Sequence, residues 1–283
     1  MKIFICTNKN QLIGAKVAKQ SIINRSHFSN DDITILYESD YPELQDFFSR
    51  PYKRSGRFVV HEKNDMQSFT LLRFIVPELM KFQGTALVID PDIFLVNDGL
   101  DELSSYAMDE CSIYARPGMK KGMWASSMML LNCKDLTHWH LMDLINAMHQ
   151  GLLDYDDLIS LKQETRIIFP LASKWNEFDA IKSNTVLLHT TEKITQPWRT
   201  GLPLNSHIPP LFYFIPRAPL YKIFGKNLTI GREHPDQAVT NFFMGELSAC
   251  VRKGIITEQD MQNAISHNFL RKDIWQILGK FPV

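Results

Sequence analysis

Residues 84–98 read GTALVIDPDIFLVND. Two carboxylates, Asp90 and Asp92, stand one residue apart between the apolar runs 86–89 and 93–96. The first run has the length of a buried strand. A buried strand that ends in two carboxylates is costly, because burying charge is unfavourable unless it is paired or coordinates a cation. In an extended stretch, side chains at i and i+2 point the same way. Asp90 and Asp92 therefore converge on one point at the end of the strand. Hard oxygen ligands at that spacing suit Mg²⁺ or Mn²⁺ bound together with substrate phosphates.

The rest of the chain gives such a strand a sheet to belong to. Apolar runs at 2–6, 33–37, 57–61, 86–90, 111–115, 127–131 and 185–189 read as strands. Between them, residues 10–24, 67–82 and 135–149 carry apolar side chains at helical spacing, as with Phe69, Leu72, Val76 and Leu79. A stripe at offsets of three and four is the signature of an amphipathic helix. Strands alternating with helices predict an α/β fold with a largely parallel sheet. Ligands of such sheets bind at the carboxyl ends of the strands, where Asp90 lies. Beyond residue 200 the texture changes. Residues 201–219 hold five prolines and read as an irregular connection. Val239, Phe243 and Leu247 then form a helical stripe, and Thr257 and Asp260 stand at capping-box spacing. The chain thus divides into a sheet-bearing region, 1–200, and a helical C-terminal region, 201–283.

Composition excludes several classes. Of 283 residues, 45% are hydrophobic and 22% charged, ordinary for a globular protein. Basic and acidic residues balance at 31 each. No overall field draws the chain to nucleic acid or to an anionic membrane. The cysteines, Cys6, Cys111, Cys133 and Cys250, include no Cys-x-x-Cys pair, and they read as buried thiols of a reducing, cytoplasmic compartment. Met1 and Lys2 lead straight into an apolar strand, so no signal peptide is expected. No apolar run approaches the length of a membrane span.

His189 ends the apolar run 185–188, and imidazole is a common ligand for a borderline cation. Taken alone, Asp90-Pro91-Asp92 also fits a capped strand-end turn. It fits a haloacid-dehalogenase-type phosphatase too, although Phe94 stands where that family needs a threonine or similar residue. His234-Pro235-Asp236-Gln237 reads as a helix start, with Asp236 near the N-terminus.

Four segments in order carry a more specific resemblance. They are FTLLRFIVPEL at 69–79, ALVIDPDIFLVND at 86–98, WASSMMLLN at 124–132, and the block running from Trp175-Asn176 through His189 to Pro197-Trp198. Together they resemble retaining glycosyltransferases of family 8, the glycogenin and lipopolysaccharide-galactosyltransferase group. The likeness spans residues 1–200. It implies a GT-A fold, a mixed sheet flanked by helices. It implies Mn²⁺ or Mg²⁺ held by Asp90, Asp92 and His189. It also implies a UDP-linked sugar as donor and a saccharide or glycolipid as acceptor. Thr7, Asn8, Arg73, Ser126, Ser127, Lys193 and Arg199 would face the donor. Asp154, Asp156 and Asp157 would carry the catalytic role of orienting sugar or acceptor.

The chain departs from the family pattern at Ala125, Ser127, Tyr155 and Gln196, where asparagine, glycine, glutamine and lysine are usual. A second reading follows, a catalytically weak or inactive nucleotide-sugar-binding protein on the same fold. The aromatic and basic stretch 211–226 reads either as peripheral membrane contact or as packing onto the core.

Overall fold

The computed structural model describes residues 1–61, 65–118, 120–203 and 230–281. Its centre is a six-stranded sheet with the order β2-β1-β5-β8-β7-β9. The strands are β1 (Lys2–Thr7), β2 (Ile33–Tyr37), β5 (Thr85–Ile89), β7 (Ile113–Pro117), β8 (Trp124–Asn132) and β9 (Ile168–Pro170). β1 runs parallel to both β2 and β5, β8 is antiparallel to β5 and β7, and β9 returns parallel to β7. The sheet is therefore mixed rather than largely parallel, because β8 comes back alongside β5 in the opposite sense.

Both faces of this sheet are covered, and the sequence alternation shows how. Ile3, Ile5, Leu87 and Ile89 face one core, while Phe4, Cys6, Ala86 and Val88 face the other. Neighbouring strand residues point to opposite faces, so a strand buried on both sides reads as a continuous apolar run. The first face carries helix α1 (Leu12–Arg25) and the C-terminal helices; the second carries α4 (Leu141–His149) and the segment 68–79. All four cysteines are buried and free.

A second, three-stranded sheet has the order β10-β11-β6, with β6 at Ile93–Leu95, β10 at Glu177–Phe178 and β11 at Leu187–His189. β5 ends at Ile89 and β6 begins at Ile93, so Asp90-Pro91-Asp92 is the turn that joins the two sheets. Helix α1 packs on this turn through Gly14. A Cβ at that position would stand 2.8 Å from the Pro91 carbonyl oxygen, so glycine permits the close approach.

Two expected elements differ. Residues 67–82 do not form one helix. Ser68–Phe74 is a 3₁₀ helix, and only Val76–Leu79 (α3) is α-helical. Pro77 lacks an N–H and disfavours helical backbone before it, and the 3₁₀ segment is buried on every side rather than on one stripe. Residues 57–61 do not join the main sheet either. β3 (Tyr52–Arg54) and β4 (Arg57–Val59) make a separate antiparallel hairpin, with Phe58 and Val60 exposed. An apolar run alone cannot distinguish a sheet strand from such a hairpin arm. The third helix begins late as well, at Leu141.

The C-terminal helices Gln237–Arg252, Glu258–Ser266 and Ile274–Leu278 lie over α1. Asp236 caps the first, accepting from the Ala238 N–H at 2.9 Å, and the Thr257–Asp260 capping box forms at 2.9 and 3.1 Å. Lys16 to Asp260 at 2.8 Å and Arg25 to Glu246 at 2.5 Å tie them to α1. Phe243 stacks on Trp198 at 4.5 Å and meets Phe94 at 5.4 Å, so these helices share the core of the sheet. No helix among the described residues is long and apolar enough to cross a membrane. The connection at 204–219 and the patch 211–226 lie outside the described residues.

Candidate metal centre

The β11–β6 register creates the site. His189 pairs with Ile93, the residue that follows Asp92. The imidazole, which is about a hundred positions later in the chain, is thereby set beside the carboxylate turn. Asp90, Asp92 and His189 each offer a ligand atom, all within 4.8 Å of one another, and all three residues are buried.

The hydrogen bonds around these groups fix their state. His189 Nδ1 lies 2.9 Å from the Asn176 side-chain oxygen, and Asn176 Nδ2 donates to Ser127 Oγ at 3.4 Å. The amide oxygen must receive a proton, so Nδ1 carries it, and in the neutral ring Nε2 holds a lone pair. That Nε2 faces Asp92 Oδ1 at 3.4 Å. Oδ1 is buried and has no hydrogen-bond partner. Two acceptors face each other with no donor between them, and at 3.4 Å even a protonated imidazole would make only a long charged contact. Buried polar atoms are seldom left so. A cation between them removes the conflict, and a histidine whose second nitrogen is held by an outer partner is the usual form of a metal ligand.

Asp92 is otherwise satisfied. Its Oδ2 accepts from Gln196 Nε2 at 2.8 Å, and its backbone carbonyl accepts from the Thr190 N–H at 3.1 Å. Gln196 also donates to the Thr190 carbonyl at 3.0 Å. Asp90 is gripped by Arg73, Nε to Oδ1 at 2.9 Å and Nη2 to Oδ2 at 2.6 Å. Burial pushes the Asp90 carboxyl up from its ordinary value, and the two-pronged guanidinium opposes that push. Each carboxylate oxygen keeps a second lone pair that can still reach a cation. Arg73 also donates from Nη1 to Ser126 Oγ at 2.8 Å, and Ser126 donates to the Ile159 carbonyl at 2.5 Å.

No protein-family model matches the chain, and no curated protein does. The solved structures to which the chain is similar include several glycosyltransferases. One is the galactosyltransferase LgtC in complex with donor and acceptor sugar analogues, at 14% identity over 70% of this chain and 89% of that one, with a TM-score of 0.49. Another is the glycosyltransferase GlyE of Streptococcus pneumoniae, at 15% identity over 70% of this chain and 56% of that one, with a TM-score of 0.47. A third is mouse xyloside xylosyltransferase 1, at 11% identity over 67% and 97%, with a TM-score of 0.44.

The other residues singled out in the sequence divide into two groups. Ser127 stands at the cluster, its carbonyl accepting from the Asp90 N–H at 2.9 Å. Lys193 is within electrostatic reach of Asp92 and Asp65, and burial holds its ammonium below the ordinary lysine range. Thr7 is buried at the end of β1. Asn8 is turned to structural work, its amide donating to the Asp65 and Met66 carbonyls and to Ser68 Oγ at 2.8 Å. Arg199 is buried at the end of the 3₁₀ turn Pro197–Arg199.

The carboxylates at 154, 156 and 157 are engaged elsewhere. Asp154 caps α5 (Tyr155–Ile159) and accepts the Ser55 and Gly56 N–H groups at the hairpin tip, at 3.1 and 2.7 Å. Asp156 takes Arg54 and Ser55, and Asp157 takes Lys162 and Gln163. Tyr155 is buried against Tyr52, with Arg54 over its ring at 4.7 Å.

Two members of the site escaped the sequence reading. Asn176 orients the imidazole, and Gln196 occupies one oxygen of Asp92. The only signal for the first was the Trp175-Asn176 pair ahead of His189. For the second it was the neutral residue before Pro197-Trp198.

Proposed function

We propose that this protein is a metal-dependent retaining glycosyltransferase that moves a sugar from a UDP-linked donor to a saccharide or glycolipid acceptor. One observation carries the reading: a buried carboxylate oxygen of Asp92 faces the lone pair of His189 at 3.4 Å, without a donor, at the junction of two sheets. Mn²⁺ or Mg²⁺ at that point would offset the negative charge that develops on the departing diphosphate.

The chain's own groups supply the rest. Asp90, Asp92 and His189 hold the ion, Asn176 fixes the imidazole, and Arg73 fixes Asp90. Ser127 borders the ion on the donor side, while Thr7, Asn8 and Ser126 support the donor pocket from beneath, Asn8 by holding the 65–68 loop and Ser126 by holding Arg73. Lys193, a cation close to Asp92, faces the phosphates. Asp154 and Asp156 act on the sugar at one remove, by holding the 52–59 hairpin, while Asp157 steadies the end of α5. Residues 1–200 constitute the donor-binding region, and 201–283 a connection and helical cover.

Calorimetric titration of UDP with and without Mn²⁺ tests the reading. Binding should require the metal and vanish in Asp92→Ala. UDP binding that ignores both the metal and the substitution would sink it.

A second reading, a nucleotide-sugar-binding protein with turnover lost, draws on Gln196. Its neutral amide sits against Asp92 where a fixed positive charge would help a leaving diphosphate. Hydrolysis of any UDP-sugar in a Mn²⁺-containing panel would exclude that alternative.

A further inference from the structure

A guanidinium beside the metal centre keeps one edge unused. Arg116, near the end of β7, is half-buried. Its Nη1 donates to the Asn176 carbonyl, and its Cζ lies 3.7 Å from the centre of the Phe178 ring. No carboxylate among the described residues pairs with it. Nε and Nη2 are left without a partner there, and neither is among the polar atoms sealed from solvent. Those two nitrogens share one edge of the planar fork. It is the edge by which Arg73 takes both oxygens of Asp90. Arg116 therefore presents an oriented, two-pronged donor that the protein itself does not use.

The fold builds that orientation. The β7–β8 pairing breaks beside Arg116: Ala115 pairs with Met129, but Arg116 pairs with Ala125. Such breaks bend a strand and re-aim its side chains, often next to active sites. Here the side chain crosses from the main sheet to β10 of the small one and the residue before it. Both of its partners touch the metal ligand His189. Asn176 holds Nδ1 at 2.9 Å, and the Phe178 ring meets the imidazole at 5.5 Å and 84°. Phe178 is 37% exposed, so the stack stands open at the rim.

The place of Arg116 across the sheet says what it faces. β1, which ends at Thr7, flanks β5 on one side, while β8 and then β7 lie on the other. β8 is antiparallel to both β5 and β7, so Arg116 and Asp90 share the same edge of the sheet. A nucleotide supported at Thr7 and Asn8, with its diphosphate on the ion, leaves Arg116 to a second molecule. Lys120 and Lys121, exposed on the β7–β8 turn and unpaired among the described residues, add positive charge on that flank of a chain whose net charge is zero.

We propose that the Nε–Nη2 edge of Arg116 binds a carboxylate or phosphate group of the acceptor, which is an anionic saccharide. That the saccharide is an acceptor rests on the glycosyltransferase reading; that Arg116 binds its anion does not.

Ligand-detected NMR titration of glucose, glucuronate and glucose 6-phosphate, in EDTA and without nucleotide, is the test. The parent should bind at least one anionic sugar about tenfold or more tightly than glucose. The tighter of the two assigns the group as carboxylate or phosphate. Arg116→Gln should abolish that preference and leave glucose as it was. Arg116→Lys, which keeps the charge but loses the fork, should retain only part of it, and decides the matter if Arg116→Gln does not fold. A purely structural arginine would lower the melting temperature of both variants and leave the preference intact. Equal binding of charged and neutral sugars by the parent, or an undiminished preference in the variants, overturns the proposal. Saturating UDP with Mn²⁺ should leave the anionic sugar bound. Its displacement would place the anion on the donor and overturn the acceptor assignment. Failure of UDP to bind with Mn²⁺ would instead sink the glycosyltransferase reading and leave the anion site standing.

Discussion

Asp92 and His189 oppose two lone pairs in a buried place, and that conflict is a measurable property of the metal-free protein. Asp92→Asn would turn the carboxylate oxygen into an amide that can donate to Nε2. In EDTA this variant should be more stable than the parent by about 1–3 kcal/mol, the cost of an unsatisfied buried polar atom. It should also lose most of the stabilisation that Mn²⁺ confers. Thermal melts with EDTA and with Mn²⁺ check both, and a variant less stable in EDTA that still responds fully to Mn²⁺ contradicts the assignment. Asn176 acts one step out. Asn176→Ala leaves all three ligands in place but frees the imidazole to rotate and change tautomer, so Mn²⁺ affinity should fall roughly 10–100-fold. Direct titration of Mn²⁺ measures it. At this scale the sequence showed which residue types were present, and Asp90, Asp92 and His189 do come together. It could not show that Gln196 would take one oxygen of Asp92, because that bond joins residues 104 positions apart and depends on the path of the loop between them.

Among the elements, α1 and the turn between β5 and β6 are set by a single missing methyl group. Alanine normally favours a helix over glycine by about 1 kcal/mol. At Gly14 the new Cβ would meet the Pro91 carbonyl oxygen at 2.8 Å, a backbone atom that cannot step aside. Gly14→Ala should therefore destabilise the protein by about 1–3 kcal/mol and weaken Mn²⁺ binding as the turn is displaced. Denaturant unfolding and Mn²⁺ titration of that variant check the two effects together. The hairpin β3–β4 depends on Asp154. Burial alone would raise that carboxyl, but the N–H groups of Gly56, Asp156 and Ser55 outweigh it and hold it below the ordinary 3.8. A group with a depressed folded value stabilises the native state above its unfolded value. That contribution fades as pH falls through the folded value. The parent should thus lose stability on acidification below about pH 4, and Asp154→Asn should flatten that part of the profile, as urea midpoints measured across acid pH would show. The elements most legible in the sequence were those with both faces buried, such as β1 and β5. The segment 68–79 was misread because an apolar run records burial and not the partner that supplies it; the arm 57–59 is a strand as read, but of the exposed β3–β4 hairpin and not of the main sheet.

For the whole molecule, the C-terminal helices complete the core rather than hang from it. Phe243 lies against Trp198, which belongs to the loop carrying Gln196, and against Phe94, two residues after Asp92. Phe243→Ala should cost about 3–5 kcal/mol. It should shift one cooperative unfolding transition rather than detach a separate one, and urea denaturation followed by tryptophan emission distinguishes the two. Local pattern was enough to establish the α/β class, the strand that ends in paired carboxylates, and the helix starts at Asp236 and Thr257. Each of these follows from side-chain period or capping chemistry within a few residues. Register and pairing were settled in three dimensions: β8 returning antiparallel beside β5, and His189 aligned with Ile93. Those outcomes come from packing two sheets and a helical layer around shared cores, where contacts between residues a hundred or more apart outweigh what either segment prefers alone.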